Sequence, residues 1–291
     1  MSTIVKPAKN ETPKTFPTYP DLKGKVVLIT GIGQVGIPDS ATWGNGAATA
    51  RLFAMNGASI FGCDLKLSAA ESTRSRLLND NPATECTVMA CDVTKPSDVE
   101  ALIKAVMAKH GRIDILVNNV GATVSGSPST MPEETWLQQI DLNLHSVYRC
   151  CHAVIPIMEA QGGGSIVNNG SITALRYIGK PQIGYATAKA AVIRYTKTAG
   201  VMYAAKNIRF NAVIPGLMYT PLVENFGMSD KPEEQETFIR ITQHNVPMGR
   251  LGDSFDTANA VVWLASDAAR YVTAHALVVD GGITESTGTG E

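Results

Sequence analysis

The stretch KVVLITGIGQVGIPDSATWGNGAATARLFAMNGA, residues 25–58, joins an apolar, strand-like run to a helix-like run through a glycine-rich loop. A strand, glycine loop and helix in this order are typical of a nucleotide-phosphate site, because free N–H groups at a helix N-terminus bind anions. Two sets of glycines compete for that role. One spells GxGxxG at residues 31–36, and the other, Gly44 and Gly46, directly precedes the apolar helix.

The helix decides between the two sets. If the first set were the phosphate loop, Gly44 and Gly46 would lie inside the helix, where each glycine costs about 1 kcal/mol. A helix that starts after Gly44 and Gly46 instead has Ala, Leu and Phe at helical spacing. It also leaves Asp64 20 residues beyond Gly44, which is the spacing of a ribose-binding carboxylate in a dinucleotide site. Residues 32–43 are then an insertion in the loop.

Apolar strands alternate with helices along the chain. Strands are predicted at 25–30, 58–63, 86–90, 114–118, 165–169, 208–214 and 276–279. Helical stretches are predicted near 45–56, 67–80, 97–110, 133–160, 184–205 and 254–266. Continuous apolar strands separated by helices indicate a parallel sheet covered on both faces. The sequence therefore predicts an α/β protein, a single-domain Rossmann fold with a doubly wound, parallel, seven-stranded sheet.

The composition excludes several classes of protein. The 291 residues are 44% hydrophobic and 18% charged, which is enough apolar material for one large core. A net charge of −1 gives no reason to expect nucleic acid or an anionic membrane as a partner. No apolar run reaches membrane-spanning length, and the five cysteines show neither a zinc spacing nor a disulfide pattern. We therefore expect a cytoplasmic protein without a metal site.

The chain ends and one internal region depart from the alternation. We expect a flexible N-terminal arm at 1–21 and a surface tail at 284–291, which leaves 22–283 as the domain. Residues 217–250 form a long, irregular stretch that is rich in Met and Pro. Such a stretch favours a mobile flap over the ligand crevice.

The insertion at 32–43 has two possible roles. It could be a flap on the adenosine or pyrophosphate side of a bound dinucleotide, anchored by Ile37 and Trp43. It could equally be a solvent-exposed loop, because long surface insertions cost little free energy. The sequence leaves both open.

Polar motifs follow the predicted strands in a fixed order. VNNVG stands at 117–121, YATAK at 185–189 and NAVIPGLMYTP at 211–221, with Asn143 and Ser171 between the first two. In these motifs the chain resembles the short-chain dehydrogenase/reductase family. Among its branches it most resembles the one that includes 3-oxoacyl-carrier-protein reductases and many small alcohol dehydrogenases.

The chain departs from the family pattern in its glycine loop and before the catalytic serine. The family spaces its glycines TGxxxGxG, whereas here nine extra residues separate Gly31 from Gly44. Asn169 and Gly170 stand where the family usually has Ile and Ser, and the interval from Ser171 to the tyrosine is one residue longer than the commonest spacing.

Tyr185 and Lys189 are four residues apart, so a helix projects them from the same face. Because a nearby ammonium favours the phenolate, we expect Lys189 to lower the Tyr185 pKa and make the tyrosine a general acid/base. Ser171 is expected to hydrogen-bond the same substrate oxygen and stabilise the charge that develops there. The resemblance implies that Lys189 also holds the nicotinamide ribose and that Asn143 positions a water molecule linking Lys189 to solvent.

A dinucleotide is expected at the carboxyl ends of the strands. The residues expected to bind it are Gly31, Gly44 and Gly46 at the pyrophosphate, Asp92 and Val93 at the adenine, Asp64 and Asn118 at the adenosine ribose, Thr220 at the carboxamide, and Tyr185 and Lys189 at the nicotinamide end.

Asp64 carries the choice of cofactor. A carboxylate there accepts hydrogen bonds from the ribose hydroxyls and repels a 2′-phosphate, which favours NAD(H) over NADP(H). The family's NADP enzymes usually have a basic residue at positions that here hold Trp43 and Leu65. Lys66 is the nearby base that keeps NADP(H) open.

These residues predict an NAD(H)-dependent oxidoreductase that interconverts a secondary alcohol and a ketone on a small to medium, mostly apolar substrate. One alternative is an NADPH-dependent 3-oxoacyl thioester reductase, which Lys66 would favour. Another is a nucleotide-binding scaffold without turnover, against which the complete set of Ser, Tyr, Lys and Asn argues. The resemblance also implies a homo-oligomer, a tetramer with the helices at 133–160 and 184–205 in its interface.

Overall fold

The computed structural model describes residues 15–34, 42–242 and 246–287, with the backbone alone described at 226–227, 237–238 and 240–242. In chain order its strands are β1 Val26–Thr30, β2 Ser59–Asp64, β3 Cys86–Ala90, β4 Ile115–Asn118, β5 Gly164–Asn169, β6 Ile208–Pro215, β7 Met218–Tyr219, β8 Gly252–Asp253 and β9 His275–Val279. Its α-helices are α1 Asn45–Met55, α2 Leu67–Asp80, α3 Pro96–His110, α4 Glu133–Ile140, α5 Ser146–Ala160, α6 Ile183–Tyr203, α7 Pro221–Gly227, α8 Pro232–Thr242 and α9 Ser254–Ala265.

Seven strands in the described residues form one parallel sheet in the order β3-β2-β1-β4-β5-β6-β9. The strand ends are in register: Thr30 of β1 pairs with Cys63 of β2 and with Asn118 of β4. The strand order reverses between β1 and β4, and a ligand crevice opens at the carboxyl ends of the strands at such a point. The polar residues that follow the strands therefore meet at one edge of the sheet.

Helices cover both faces of the sheet. Val27 and Ile29 of β1 pack in one core with α1 and α9, whereas Val26 and Leu28 pack in a second core with α3, α5 and α6. Burial on both faces explains why the strand reads as one continuous apolar run. The predicted doubly wound Rossmann fold is confirmed. Among the described helices, none is long and apolar enough to cross a membrane.

The helix predicted at 133–160 is interrupted. Between α4 and α5 the backbone makes a π-helical turn at Asp141–His145. Such a turn widens the helix by one residue and is frequent at functional sites. Here it carries Asn143, so the interruption falls on a candidate site residue.

The region predicted to be irregular, 217–250, contains β7 and the short helices α7 and α8. Each helix begins at a proline, Pro221 or Pro232, a residue that fits the first helical turn because it needs no hydrogen-bond partner for an N–H. The prediction of irregular structure was wrong there, because helices α7 and α8 occur in a Pro- and Met-rich sequence that is typical of loops. Residues 243–245 lie outside the described residues.

The prediction of a flexible arm at 1–21 is wrong for residues 15–21. Residues 15–21 lie on the domain, and the ring of Phe16 packs against Phe255 with centroids 5.1 Å apart. Residues 1–14 lie outside the described residues. The domain's packed boundary therefore begins earlier than the composition indicates.

The predicted surface tail at 284–291 is held at its start. The Arg176 guanidinium donates a 2.7 Å hydrogen bond to the carbonyl of Ile283, which is buried, and another to the carbonyl of Ser286. Arg176 belongs to the loop after β5, so the chain end is tied to that loop. Residues 288–291 lie outside the described residues.

Candidate active site

The glycine turn and the N-terminus of α1 are packed together. Gly31 has a positive φ of 68°, which lets the chain leave β1 in a tight turn. A Cβ on Gly46 would lie 2.1 Å from the Gly31 carbonyl, so only glycine lets the helix approach the strand so closely. Gly44 is the N-cap residue and contributes no side-chain cap to α1. The first turn of α1 is therefore suited to an anion such as a pyrophosphate.

Gln34 clamps the two ends of the predicted insertion. Its Nε2 donates to the Thr42 carbonyl at 2.8 Å, and its Oε1 accepts the N–H of Gly44 at 3.0 Å. Ile32, before the clamp, is fully buried in the core. The insertion between Gly31 and Gly44 is thus closed at its base, next to the start of α1.

Trp43, the last residue of the insertion, is buried in the core. Its indole lies 6.1 Å from the ring of Phe255, and the guanidinium groups of Arg76 and Arg51 lie 3.6 and 5.0 Å from its centre. Trp43 therefore holds the α1 end of the insertion in the core, and a flap over a bound dinucleotide stays a prediction. Ile37, the other predicted anchor, lies outside the described residues.

The Asp64 carboxylate stands at the end of β2 and is held from two sides. Oδ2 accepts the N–H of Gly33 at 3.0 Å, and Oδ1 accepts the N–H of Lys66 at 3.1 Å. Both donors are backbone groups, so they fix the direction of the carboxylate without neutralising its charge. Asp64 thus faces the crevice edge as an oriented acceptor.

Asp92 and Val93 lie beside Asp64. The N–H of Cys91 donates to the Asp64 carbonyl at 2.9 Å, which aligns the ends of β2 and β3. Hydrogen bonds from Thr94, its hydroxyl at 2.6 Å, lower the pKa of Asp92. The Val93 side chain is buried in the core, so its expected contact with the adenine stays a prediction.

Asn118 is placed differently from the residues around it. Its side chain is buried and donates to Asn168 Oδ1 at 2.8 Å, inside the sheet. Asn168 in turn donates to Thr196 at 2.9 Å. A contact between Asn118 and an adenosine ribose would therefore have to come from its backbone, because its side chain joins β4 to β5 and α6.

Thr220 stands between β7 and α7, as the N-cap residue of that helix. Its carbonyl accepts the N–H of Glu224 at 2.9 Å. It thus belongs to the predicted flap rather than to the main sheet, and its expected contact with a carboxamide stays a prediction.

Ser171 and Tyr185 are hydrogen-bond partners. The Ser171 hydroxyl accepts the Thr173 hydroxyl at 2.9 Å and interacts with the Tyr185 hydroxyl. Burial raises the pKa of Tyr185, and the hydrogen bond with Ser171 opposes that rise. The predicted lowering of this pKa by Lys189 was wrong for the protein alone, because burial dominates the shift and the opposing contribution comes from Ser171.

Lys189 is buried one turn further along α6. Its Nζ donates to the Asn169 carbonyl at 2.8 Å and lies 5.7 Å from the centre of the Tyr185 ring. Burial lowers the pKa of Lys189 from 10.5 to about 8. The amine can therefore gain or lose a proton near neutral pH.

Asn143 approaches Lys189 from the π-helical turn. Its Nδ2 donates to the carbonyls of Gln139 and Ala122, both at 2.9 Å, and its Oδ1 accepts the Ala122 N–H at 3.2 Å. A Cβ on Gly121 would lie 3.0 Å from Lys189 Nζ and 3.1 Å from Asn143 Oδ1. The two side chains therefore flank one glycine, close enough for a shared water molecule.

Sequence reasoning missed two asparagines that join the halves of the site. Asn169 Nδ2 donates to Asn119 Oδ1 at 2.6 Å, and Asn119 Nδ2 donates to the Gly31 carbonyl at 2.8 Å. A polar chain thus runs from Lys189 to the glycine turn. The unusual Asn169 was the available signal, but the sequence does not show its partner.

The fold and site define a class of protein, a dinucleotide-dependent oxidoreductase. A family model described as enoyl-(acyl carrier protein) reductase matches residues 40–284. The chain belongs to the short-chain dehydrogenase/reductase family. It is an NAD(P)-dependent dehydrogenase/reductase of the kind that acts on CH–OH donors. In the described residues, no cluster of side chains could hold a metal ion.

Relatives match the chain over most of its length. Oxidoreductase UcpA of Escherichia coli K12 and the 3-oxoacyl-[acyl-carrier-protein] reductase FabG of Thermotoga maritima are each 36% identical over 263 residues, which is 90% of this chain and 95% and 98% of theirs. Levodione reductase of Leifsonia aquatica is 34% identical over 263 residues, 89% of this chain and 93% of that one. A crystal structure of levodione reductase superposes with a TM-score of 0.82 at 30% identity, covering 91% of this chain and 99% of that one.

Proposed function

We propose that the protein interconverts a secondary alcohol and a ketone with NAD(H), on a small to medium, mostly apolar substrate. The observation that carries the proposal is the grouping of Ser171, Tyr185, Lys189 and Asn143 at the carboxyl edge of the sheet. A hydroxyl that can exchange a proton, a second hydroxyl beside it and a buried amine behind it are what carbonyl reduction requires.

Tyr185 moves the proton. Because burial keeps its pKa above the ordinary value, the tyrosine stays protonated at neutral pH and can donate to the oxygen of a ketone. Ser171 donates a hydrogen bond to the same oxygen and stabilises the charge that develops on it. Lys189, with a pKa of about 8, supplies the proton that restores Tyr185 to its protonated form. Asn143 holds the water through which Lys189 exchanges protons with solvent.

The described residues fit a nicotinamide dinucleotide. A Cβ on Gly44 would meet nothing closer than 3.8 Å, so open space lies beside the start of α1, where a pyrophosphate would bind. Asp64 would accept hydrogen bonds from the hydroxyls of the adenosine ribose, and Asp92 would flank the adenine. The bound nicotinamide supplies or accepts the hydride. A carboxylate at the ribose supports NAD(H) over NADP(H).

The substrate side supports an apolar ligand. Leu175 and Tyr177, in the loop after Ser171, are exposed, as are Val124 in the loop after β4 and Leu222 on α7. Exposed apolar side chains in the segments that follow the strand ends support an apolar substrate. Levodione reductase, whose name denotes a ketone substrate, resembles the chain over nearly its whole length.

A second candidate function is an NADPH-dependent 3-oxoacyl thioester reductase. The 36% identity to FabG of Thermotoga maritima favours it. Lys66 follows Asp64 closely, and its exposed side chain could reach a 2′-phosphate. The oriented Asp64 carboxylate favours the first function, because the phosphate would approach a fixed negative charge.

The predicted tetramer and the cytoplasmic location remain proposals. Leu137 and Tyr148 on α4 and α5, and Val201 and Met202 on α6, expose apolar side chains on the two helical segments predicted to form the interface. An interface there would remove these side chains from water. All five cysteines are buried free thiols, which supports a reducing location.

Steady-state assays would test the proposal. The purified protein is offered cyclic and acyclic ketones, the matching secondary alcohols, and a 3-oxoacyl thioester, each with NAD(H) and with NADP(H). Turnover of simple ketones or alcohols with NAD(H) supports the proposal. A preference for the thioester with NADPH supports the second candidate, and binding of a dinucleotide without any turnover supports a scaffold.

A further inference from the structure

Gly33 lies in the glycine loop, but its contact with the Asp64 carboxylate is not explained by pyrophosphate binding. Its N–H donates to Asp64 Oδ2 at 3.0 Å, while the N–H of Lys66 donates to Oδ1 at 3.1 Å. An ionised carboxylate has about four lone-pair sites, so each oxygen keeps one more acceptor position. Gly33 thus contacts the group that selects the cofactor and leaves it able to bind.

The segment that carries Gly33 is fixed on helix α2. The Thr73 hydroxyl donates to the carbonyl of Ile32 at 2.8 Å, and the N–H of Gln34 donates to the carbonyl of Ala69 at 3.0 Å. Both neighbours of Gly33 are therefore held by α2. Its N–H is directed at the carboxylate by the fold and not by the ligand.

The missing side chain at Gly33 makes room for the carboxylate. A Cβ there would lie 2.4 Å from Asp64 Oδ2, 2.6 Å from Asp64 Cγ and 2.9 Å from the Cβ of Ala69. Distances this short force something to move. Gly33 does not have a positive φ, so alanine can adopt its backbone conformation. An alanine there would act by displacing the carboxylate and not by straining the loop.

We propose that Gly33 is a specificity-determining residue of the cofactor site, which holds the Asp64 carboxylate ready for the two hydroxyls of an adenosine ribose. The backbone donor orients the carboxylate, and the absent side chain leaves it space. Gly33 also offers no side-chain donor to a 2′-phosphate. The inference rests on the proposed function, because it takes Asp64 as the ribose acceptor.

A double-mutant cycle on NADH binding tests this role. The dissociation constant for NADH is measured by fluorescence titration for the wild type, Gly33→Ala, Asp64→Ser and the double variant, with thermal melting to show that each is folded. Gly33→Ala should displace the Asp64 carboxylate and so cost an oriented hydrogen bond between this charged group and the ribose. The variant should therefore bind NADH about tenfold more weakly. In the Asp64→Ser background the same change should alter the constant by less than about twofold, because non-additivity marks residues that act through each other.

A third variant separates the carboxylate from general packing. In Gly33→Ala/Ala69→Gly the second close contact is removed, and the affinity for NADH should stay low. Recovery of affinity in that variant, or an equal loss from Gly33→Ala in both backgrounds, overturns the proposal. A wild type that binds NADPH better than NADH contradicts the proposed cofactor preference instead, and the cycle with NADH still reports on Gly33.

Discussion

The Thr42 hydroxyl donates a 2.9 Å hydrogen bond to Oε2 of Glu224 and so joins the glycine-loop insertion to helix α7. Thr42 lies at the base of the insertion, where the side chain of Gln34 holds its carbonyl. Glu224 lies on the first helix of the predicted substrate flap. The part of the chain expected to bind the dinucleotide is therefore connected directly to the part expected to cover the substrate.

Removal of this hydroxyl should loosen the flap. Thr42→Val keeps the side-chain shape but loses the donor to a charged acceptor, and we expect KM for the ketone to rise about three- to tenfold. Thr42→Ser keeps the hydroxyl and is the matched control. Steady-state kinetics would measure both variants, and a KM unchanged by Thr42→Val would show that the bond does not hold the flap.

Tyr185→Phe should abolish turnover without loss of NADH binding. The phenyl ring still packs, but the proton that reaches the substrate oxygen is gone, and general acid–base catalysis typically contributes about 10²–10⁴-fold. The kcat and the NADH dissociation constant are compared with those of Tyr271→Phe, a change at an exposed ring. Near-normal kcat in the Tyr185 variant would contradict its assignment.

Lys189 should make stability depend on pH. Its pKa is 10.5 in the unfolded chain and about 8 in the folded protein. Between these values the unfolded chain binds more protons, so this residue makes the free energy of unfolding rise with pH. Buried Cys86 acts in the opposite direction, because burial raises its pKa from 9.0 to about 11.

The contribution of Lys189 is isolated by comparison with Lys189→Met. Denaturant unfolding is measured for both proteins without cofactor at several values from pH 7 to pH 10. The stability of the wild type relative to the variant should increase above about pH 8, the folded pKa. A difference that is flat or falls over this range would mean that the lysine does not titrate as its burial indicates.

Trp43→Ala should destabilise the fold. The indole is buried between Phe255 and two arginines, and truncation of a buried aromatic side chain costs about 3–5 kcal/mol. Trp43→Phe should lose less, because a smaller ring still fills part of the site. Denaturant unfolding without cofactor measures both. A loss below about 1 kcal/mol for the alanine variant would show that Trp43 does not anchor the insertion.

The alternation of strands and helices could be predicted from the sequence because burial leaves a local pattern. β1 is apolar up to Thr30 since both its faces are covered. α1 begins directly after its N-cap Gly44 and therefore includes Gly46 in its first turn, whereas the sequence predicted a start after both glycines, which are unfavourable inside a helix. Helix α7 was missed because its 7 residues are too few to show a period. Helix α8 is as long as α1 but was missed because it begins at a proline inside a stretch whose Met, Pro and acidic residues indicate irregular structure.

The contacts within the candidate site depend on the register between distant strands, which the sequence does not reveal. Asn118 pairs with Asn168, and this register brings Asn119 beside Asn169. The direction of the Tyr185 pKa shift was wrong for a related reason. The spacing to Lys189 shows that the two residues are near, but the degree of burial, which dominates the shift, follows only from the packed structure.

Asp64 carries the central claim, the preference for NAD(H). At about 4 Å and an effective dielectric constant near 20, a 2′-phosphate charge and the carboxylate repel by about 4 kcal/mol. Even a quarter of that repulsion gives about fivefold discrimination. Asp64→Ser should lower affinity for NADH and raise it for NADPH, and more strongly when combined with Leu65→Arg.

The most direct test is the ratio of kcat/KM for NADH to kcat/KM for NADPH, measured on the wild type with one ketone at fixed pH and salt. The oriented carboxylate of Asp64 predicts a ratio of at least about five in favour of NADH. A ratio in favour of NADPH would contradict the assignment of Asp64 and move the protein to the 3-oxoacyl thioester reductases.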